Sequence, residues 1–174
     1  MHDGKGWYKI DDKWKKVERI GDKSGNQCIT MLIGEYTHTI DNKKRLAVPA
    51  KLRKEIGDTA VLTRGLDNCL FLYTMQEWQK LTEKLGELPV GQRDTRSFLR
   101  LTLAGAVEVQ FDQLGRILVP DYLKQYAGLQ TRVVIAGVYS RLEIWDERRW
   151  EGYKAEVEKN TDMIAEKLGE LGLY

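Results

Sequence analysis

Between Val107 and Phe111 apolar side chains alternate with Glu108 and Gln110, the period-two pattern of a strand with one buried face. Tyr36 to Ile40 predicts a second short strand of the same kind. Each is followed by a polar turn and then by a short apolar run, Arg45 to Val48 and Arg116 to Val119, that stops at proline. Pro49 and Pro120 are predicted to open short helices, "PAKLRKEIG" and "PDYLKQYAG". At the first helical position the ring presets φ and loses no hydrogen bond. Gly57 and Gly128 are the expected helix ends. Two more strands follow in each half, "AVLTRG" and "CLFLYT", then "RVVIAG" and "RLEIWD", whose β-branched and aromatic content favours strand over helix.

The order is therefore written twice. At an offset of 71, Asp41 meets Asp112, Arg45 meets Arg116, Val48 meets Val119, Pro49 meets Pro120 and Leu52 meets Leu123. With one added residue the register continues, because Leu70 then meets Leu142 and Trp78 meets Trp150. Two of the chain's three prolines coincide, and we read an internal duplication.

Between the copies the apolar positions change to helical spacing, with Trp78, Leu81, Leu85 and Leu88 before Pro89, and Phe98, Leu99, Leu101 and Leu103 after it. Arg93, Arg96 and Arg100 then fall on a solvated helix face. From Asp146 onward Trp150, Tyr153, Val157, Ile164, Leu168 and Leu171 recur at helical spacing among acids, a helix suited to packing on a neighbour. Residues 1–30 have no counterpart in the second half. Their lysines, aspartates and glycines, with Trp7, Tyr8 and Trp14, read as an appended surface arm of alternating charge, with a hairpin as its candidate local structure. The expected division is an extension at 1–30, a first module at 35–78, a helical connector at 79–104, a second module at 106–150 and a C-terminal helix at 151–174.

Composition sharpens this picture. A chain of 174 residues with 42% apolar side chains can bury a substantial core. The net charge is only +2, so an anionic partner has to be argued from local distribution. From Asp41 to Lys54 six bases (Lys43, Lys44, Arg45, Lys51, Arg53, Lys54) oppose one acid, giving +5, whereas Asp112 to Lys124 carries two of each and is neutral. Cys28 and Cys69 do not call for an oxidising compartment. No apolar run reaches membrane-span length and the N-terminus lacks the apolar stretch of a signal peptide, so a reduced cytoplasm without membrane contact is expected.

The repeated turn carries the candidate chemistry. In Asp112-Gln-Leu-Gly-Arg116 the carboxylate can accept N–H bonds of its own turn, and Gly115 supplies the positive φ of a bulged hairpin. Such a turn holds the planar five-donor fork of Arg116 at a rigid site, suited to a phosphate or a guanine edge. The first copy has Lys44 at the glycine position. Either that turn differs, or it tolerates a left-handed strain of about 1–2 kcal/mol. The gain is an extra cation, so that Lys43, Lys44 and Arg45 together could engage phosphates. A single such motif equally suits a plain surface ion pair clamping a hairpin. The duplication, the matched prolines and the cationic cluster shift the balance toward DNA.

Catalysis finds little support. His2 and His38 have no nucleophile partner or metal-ligand spacing, the cysteines form no C-x-x-C, and the glycine turn lacks the spacing of a P-loop. No catalytic, metal or cofactor site is expected.

The segments "GEYTHTIDNKKRLAVPAKLR", "TRGLDNCLFLY", "EW", "GAVEVQFDQLGRILVP", "AGL" and "EIWD" resemble the MraZ family, bacterial transcriptional regulators with two AbrB-like (SpoVT-AbrB) modules. The resemblance runs from Met31 to the region of Trp150. It implies a mainly β fold with helices, a duplicated swapped-hairpin or double-split β-barrel with a pseudo-two-fold within the chain. It also implies ring-shaped homo-oligomers that bind double-stranded DNA at short direct repeats in the promoter of the division and cell-wall gene cluster, usually as a repressor, in the cytoplasm at the nucleoid. Position by position, the family's paired motifs fall on Asp41 with Arg45 and on Asp112 with Arg116. Arg45 and Arg116 are the expected base or phosphate contacts, Lys43 and Lys44 the phosphate contacts, and Asp41, Asp112 and Gly115 the residues that hold the turns. Lys44 departs from the family's usual glycine, which leaves the first turn's geometry open. The rival expectation is an antitoxin-like module whose AbrB-type barrel supports a protein-binding tail. Duplication within one chain and a structured C-terminal helix argue against it.

Overall fold

The structure, a computed structural model, describes residues 7–10, 13–16 and 31–170. Strands β1 (Trp7–Ile10) and β2 (Lys13–Lys16) form an antiparallel hairpin with Trp7 opposite Lys16. The rest of the N-terminal arm, and Leu171 of the expected C-terminal stripe, lie outside the described residues.

The first copy contributes β3 (Leu32–Thr39), β4 (Arg45–Ala47), helix α1 (Ala50–Ile56), β5 (Thr59–Arg64) and β6 (Leu70–Thr74). Helices α2 (Met75–Gly86) and α3 (Arg93–Leu103) follow. The second copy repeats the order as β7 (Val107–Gln110), β8 (Arg116–Leu118), α4 (Asp121–Tyr126), β9 (Arg132–Tyr139) and β10 (Arg141–Asp146). Helices α5 (Glu147–Lys159) and α6 (Thr161–Glu170) complete the described chain.

Six strands form one antiparallel sheet in the order β3-β9-β10-β6-β5-β7. The order reads the same from both edges. Each edge strand is the first strand of one copy, and its neighbour is the third strand of the other copy. Tyr36 thus lies opposite Ile135, and Val109 opposite Ala60. The second strands exchange as well, since among the described strands β4 and β8 pair with each other in a two-stranded sheet, with Leu46 opposite Ile117.

The exchange follows from where the apolar faces go. Leu46, Val48, Leu52 and Ile56 are buried, and so are Ile117, Val119, Leu123 and Ala127, each 71 positions on. With Leu62, Leu70, Leu72, Ile135, Leu142 and Ile144 they belong to one core cluster rather than two. Burying a leucine or isoleucine side chain contributes about 1.5–3 kcal/mol. A three-residue strand such as β4 or β8 has too little surface to be stable alone. Packing both copies into a common core holds the two strands together.

Pro49 and Pro120 stand one residue before their helices, not at the first helical position as expected. Their ψ angles of 136° and 150° are extended, and each proline carbonyl accepts a helical N–H, from Arg53 at 3.0 Å and from Lys124 at 2.9 Å. The preset φ serves equally well there, and the missing N–H would have no partner in either place. Gly57 (φ +86°) and Gly128 (φ +62°) end the two helices in left-handed backbone.

The corner after the fourth strand is repeated too, at the offset of 72. Thr74 accepts the N–H of Glu77 at 3.1 Å and Asp146 that of Arg148 at 3.2 Å, so both following helices start on a side-chain cap. Four residues on, Trp78 packs on Tyr73 and Trp150 on Trp145, with ring centroids 5.8 and 5.5 Å apart. The C-terminal helical stretch is divided, not continuous. Asn160, at φ −110° and ψ 10°, ends α5, and α6 restarts at Thr161.

Candidate nucleic-acid interface

Each strand pair of a copy is joined by a turn built from the backbone of one aspartate and one arginine. The Asp41 N–H donates to the Arg45 carbonyl at 3.0 Å and the Lys44 N–H to the Asp41 carbonyl at 2.9 Å. The second turn repeats this, from Asp112 to Arg116 at 2.9 Å and from Gly115 to Asp112 at 2.8 Å. Lys44 sits at φ +62° and Gly115 at φ +72°. The two turns therefore share one geometry, and the first accepts the left-handed strain.

The carboxylates then organise each turn from inside. Oδ1 of Asp41 accepts the N–H groups of Lys43 (2.8 Å) and Arg45 (2.9 Å), while Oδ1 of Asp112 accepts those of Leu114 and Arg116 (2.9 Å each). Oδ2 of Asp41 takes Nε and Nη2 of Arg45, both at 2.8 Å. Oδ2 of Asp112 takes Nε of Arg116 at 2.8 Å and its Nη2 at 2.6 Å. One edge of each guanidinium is thus committed to its own turn, and the side chain is fixed with its Nη1 edge outward from that carboxylate.

These donors explain the acidity of the carboxylates. The Arg45 backbone N–H, helped by its side chain and by the Lys43 N–H, holds the Asp41 carboxyl below its ordinary value against a smaller push upward from desolvation. At Asp112 the Arg116 side chain does most of this, followed by its backbone N–H.

Pairing of β4 with β8 sets the turns side by side. The Val48 N–H donates to the Gly115 carbonyl at 3.1 Å and the Val119 N–H to the Lys44 carbonyl at 2.9 Å, a reciprocal pair related by the same offset of 71. Nη1 of Arg116 lies 3.7 Å from Oδ2 of Asp41, which links the two ion pairs into a quartet. Two aspartates and two arginines sum to zero charge. The cations that give this face its sign are therefore the neighbours of the motif.

Those neighbours differ between the turns. Lys43 is exposed at the tip of the first, where the second has Leu114, 69% exposed. Lys44, expected as a phosphate contact, has a partner within the chain. Its Nζ meets Asp121 Oδ2 at 2.5 Å, across the boundary between copies. At the place equivalent to Lys44, a Cβ on Gly115 would collide with the guanidinium of Arg53, whose Nε donates to the Val48 carbonyl at 3.0 Å. The sequence pattern singled out neither Asp121 nor Arg53 as a site residue. The signal for Asp121 is its mismatch with Ala50 at the offset of 71, and that for Arg53 is its membership of the +5 cluster.

Of the connector's bases, Arg93 and Arg100 are exposed, while Nη1 of Arg96 donates to the carbonyls of Val90 (3.0 Å) and Gly91 (2.7 Å) and ties the α2–α3 loop. Among the described residues no group of three or more His, Cys, Asp or Glu is arranged to hold a metal ion, and no helix is long and apolar enough to cross a membrane.

A family model described as "MraZ protein, putative antitoxin-like" matches the chain twice, over residues 31–101 and 102–169. The chain belongs to the MraZ family. Each of the two MraZ matches contains one Asp-Arg turn. Among similar curated proteins, one from Caldicellulosiruptor saccharolyticus is 50% identical over 143 residues, one from Halothermothrix orenii 47% and one from Acetivibrio thermocellus 46%. Each alignment covers 82% of this chain and all of the relative, and each relative is named "Transcriptional regulator MraZ".

Proposed function

We propose that this MraZ-family protein is a sequence-specific DNA-binding transcriptional regulator that represses the division and cell-wall gene cluster through short direct repeats in its promoter. The relatives' shared name supports regulation of transcription. The observation that carries the DNA reading is the pair of Asp-Arg turns held side by side by the β4–β8 pairing. Rigid guanidinium edges at a fixed separation can address base edges or phosphates with little entropy left to lose. Arg45 and Arg116 are the proposed reading residues, Lys43 a phosphate contact, and Asp41, Asp112 and Gly115 the residues that keep the turns in shape. Lys44 contributes charge only insofar as DNA competes with Asp121.

The exchange of first and second strands between copies supports a swapped-hairpin barrel, with modules at 35–78 and 106–150, the helices of 79–104 as connector, a C-terminal helical segment at 151–174 and residues 1–30 as an appended extension. One such pair of turns presents a small contact. A ring-shaped homo-oligomer at the nucleoid would present several to spaced repeats and multiply affinity through effective concentration.

The test is binding of the wild type, Arg45→Ala and Arg116→Ala to duplex promoter DNA bearing the repeats and to a scrambled control, across a salt series. Each substitution is expected to lower specific affinity by about 1–3 kcal/mol, roughly five- to 150-fold, with secondary structure and particle mass retained. A wild type without preference for the repeats, matched by both variants at every salt concentration, would overturn the reading. The antitoxin-like wording of the family description would then make a protein partner the next hypothesis, tested by capture of a toxin-like protein.

A further inference from the structure

Arg53 stands out once the motif is seen to be neutral. It belongs to α1 of the first copy, yet its guanidinium covers Gly115 in the turn of the second copy. Gly115 is buried although its neighbours Gln113 and Leu114 at the tip are exposed. The arginine itself is only partly buried. Its Nε is spent on the Val48 carbonyl, and among the described residues neither Nη group has an acceptor or an acidic partner. The side chain is therefore aimed and anchored while, among the described residues, its charge meets no carboxylate. The Nη groups are open to solvent rather than buried without a partner, so an anion can reach them.

The equivalent place on the first turn is filled in another way. Position 124, 71 after Arg53, is lysine, and the first turn has no glycine to receive it. Instead Lys44 extends from the turn to Asp121 and is neutralised there. The second turn carries no base of its own besides the paired Arg116. Arg53 supplies what that turn lacks.

We propose that Arg53 of the first module contacts a DNA phosphate beside the second turn, so that each reading site draws on both copies. The inference rests on the DNA-binding reading above. Its guanidinium lies against the turn backbone rather than at the tip, the position of a group that grips the strand while Arg116 addresses the groove. A phosphate contact adds affinity without sequence preference and steepens the dependence on salt.

The experiment measures binding of full-length wild type, Arg53→Gln, Arg53→Lys, Arg45→Ala and Arg116→Ala to a fluorescent duplex with promoter repeats and to its scrambled counterpart, at five salt concentrations. Arg53→Gln is expected to reduce the slope of log K against log[salt] by about 0.9 for each phosphate left without its cation, with the ratio of repeat to scrambled affinity unchanged. Arg53→Lys should restore the slope although it cannot reproduce the Nε bond to Val48, which separates charge from packing. Should the glutamine variant fail to fold, Arg53→Met keeps the aliphatic stem and is read the same way. A slope equal to the wild type's in the uncharged variant overturns the proposal, even if affinity falls. If Arg45→Ala and Arg116→Ala still lose repeat binding in that case, only the role of Arg53 is refuted. If the wild type itself shows no preference for the repeats, both readings fall.

Discussion

Lys44 and Gly115 hold the same left-handed backbone conformation, φ +62° and +72°, at equivalent positions of two turns joined through their carbonyls to Val119 and Val48. A lysine there carries a penalty of about 1–2 kcal/mol. The ion pair with Asp121 and the absence of glycine's backbone freedom offset it, by about 0–1 and 0.5–1 kcal/mol respectively. Lys44→Gly is accordingly expected to change stability by less than about 1 kcal/mol. Gly115→Ala meets both the left-handed strain and the Arg53 guanidinium, and should lose about 2 kcal/mol or more. Urea unfolding of the two variants checks the contrast, and equal effects would show that the collision with Arg53 is relieved at no cost.

Acid should loosen the turns late. Asp41 and Asp112 both have folded-state pKa values lowered by donors from Arg45 and Arg116, so the carboxylates stabilise the fold fully above the ordinary aspartate value. That contribution is lost only as pH falls through the lowered folded values. Side-chain carboxyl NMR titration should therefore give midpoints for these two residues below the ordinary aspartate value, and Asn in place of either should remove the matching acid-dependent loss.

The shared core should respond as one body. Leu46→Ala in β4 and Ile117→Ala in β8 each open a cavity where the two copies meet, at side chains with no exposed surface. Each is expected to lose about 2–5 kcal/mol. Denaturant unfolding followed by both Trp fluorescence and far-UV circular dichroism should keep coincident transitions. Two separated transitions would mean that the copies fold as independent units.

Burial pushes the Cys69 thiol up, the Glu143 and Asp67 charges add to this, and the residue is 1% exposed. In a Cys28→Ser background, a thiol reagent at pH 8 should leave Cys69 unmodified in native buffer and label it completely in urea. Rapid native labelling would contradict its packed position.

Most of the architecture within each copy was legible because it rests on local physics. The duplication, the strand and helix positions, the role of the two aspartates and the glycine ends of α1 and α4 all follow from periodicity, from proline and glycine φ preferences and from carboxylates that bond their own turn. Even there, one residue separated Pro49 and Pro120 from the helices they precede, since an extended proline and a first helical residue leave the same missing N–H unused. The stripe from Trp150 to Ile164 likewise gave no sign of the break at Asn160, because helical spacing survives a short interruption.

The sequence by itself determined where the two turns fall and that an aspartate and an arginine close each, since those groups are at most four positions apart. The equal geometry of the Lys44 turn came from the structure. Only the tertiary structure decided that β3 would pair with β9, that β4 would pair with β8, that Lys44 would reach Asp121 and that Arg53 would cover Gly115. Those partners lie more than sixty residues apart, and their meeting depends on burying one apolar core common to both copies. No local preference encodes that choice.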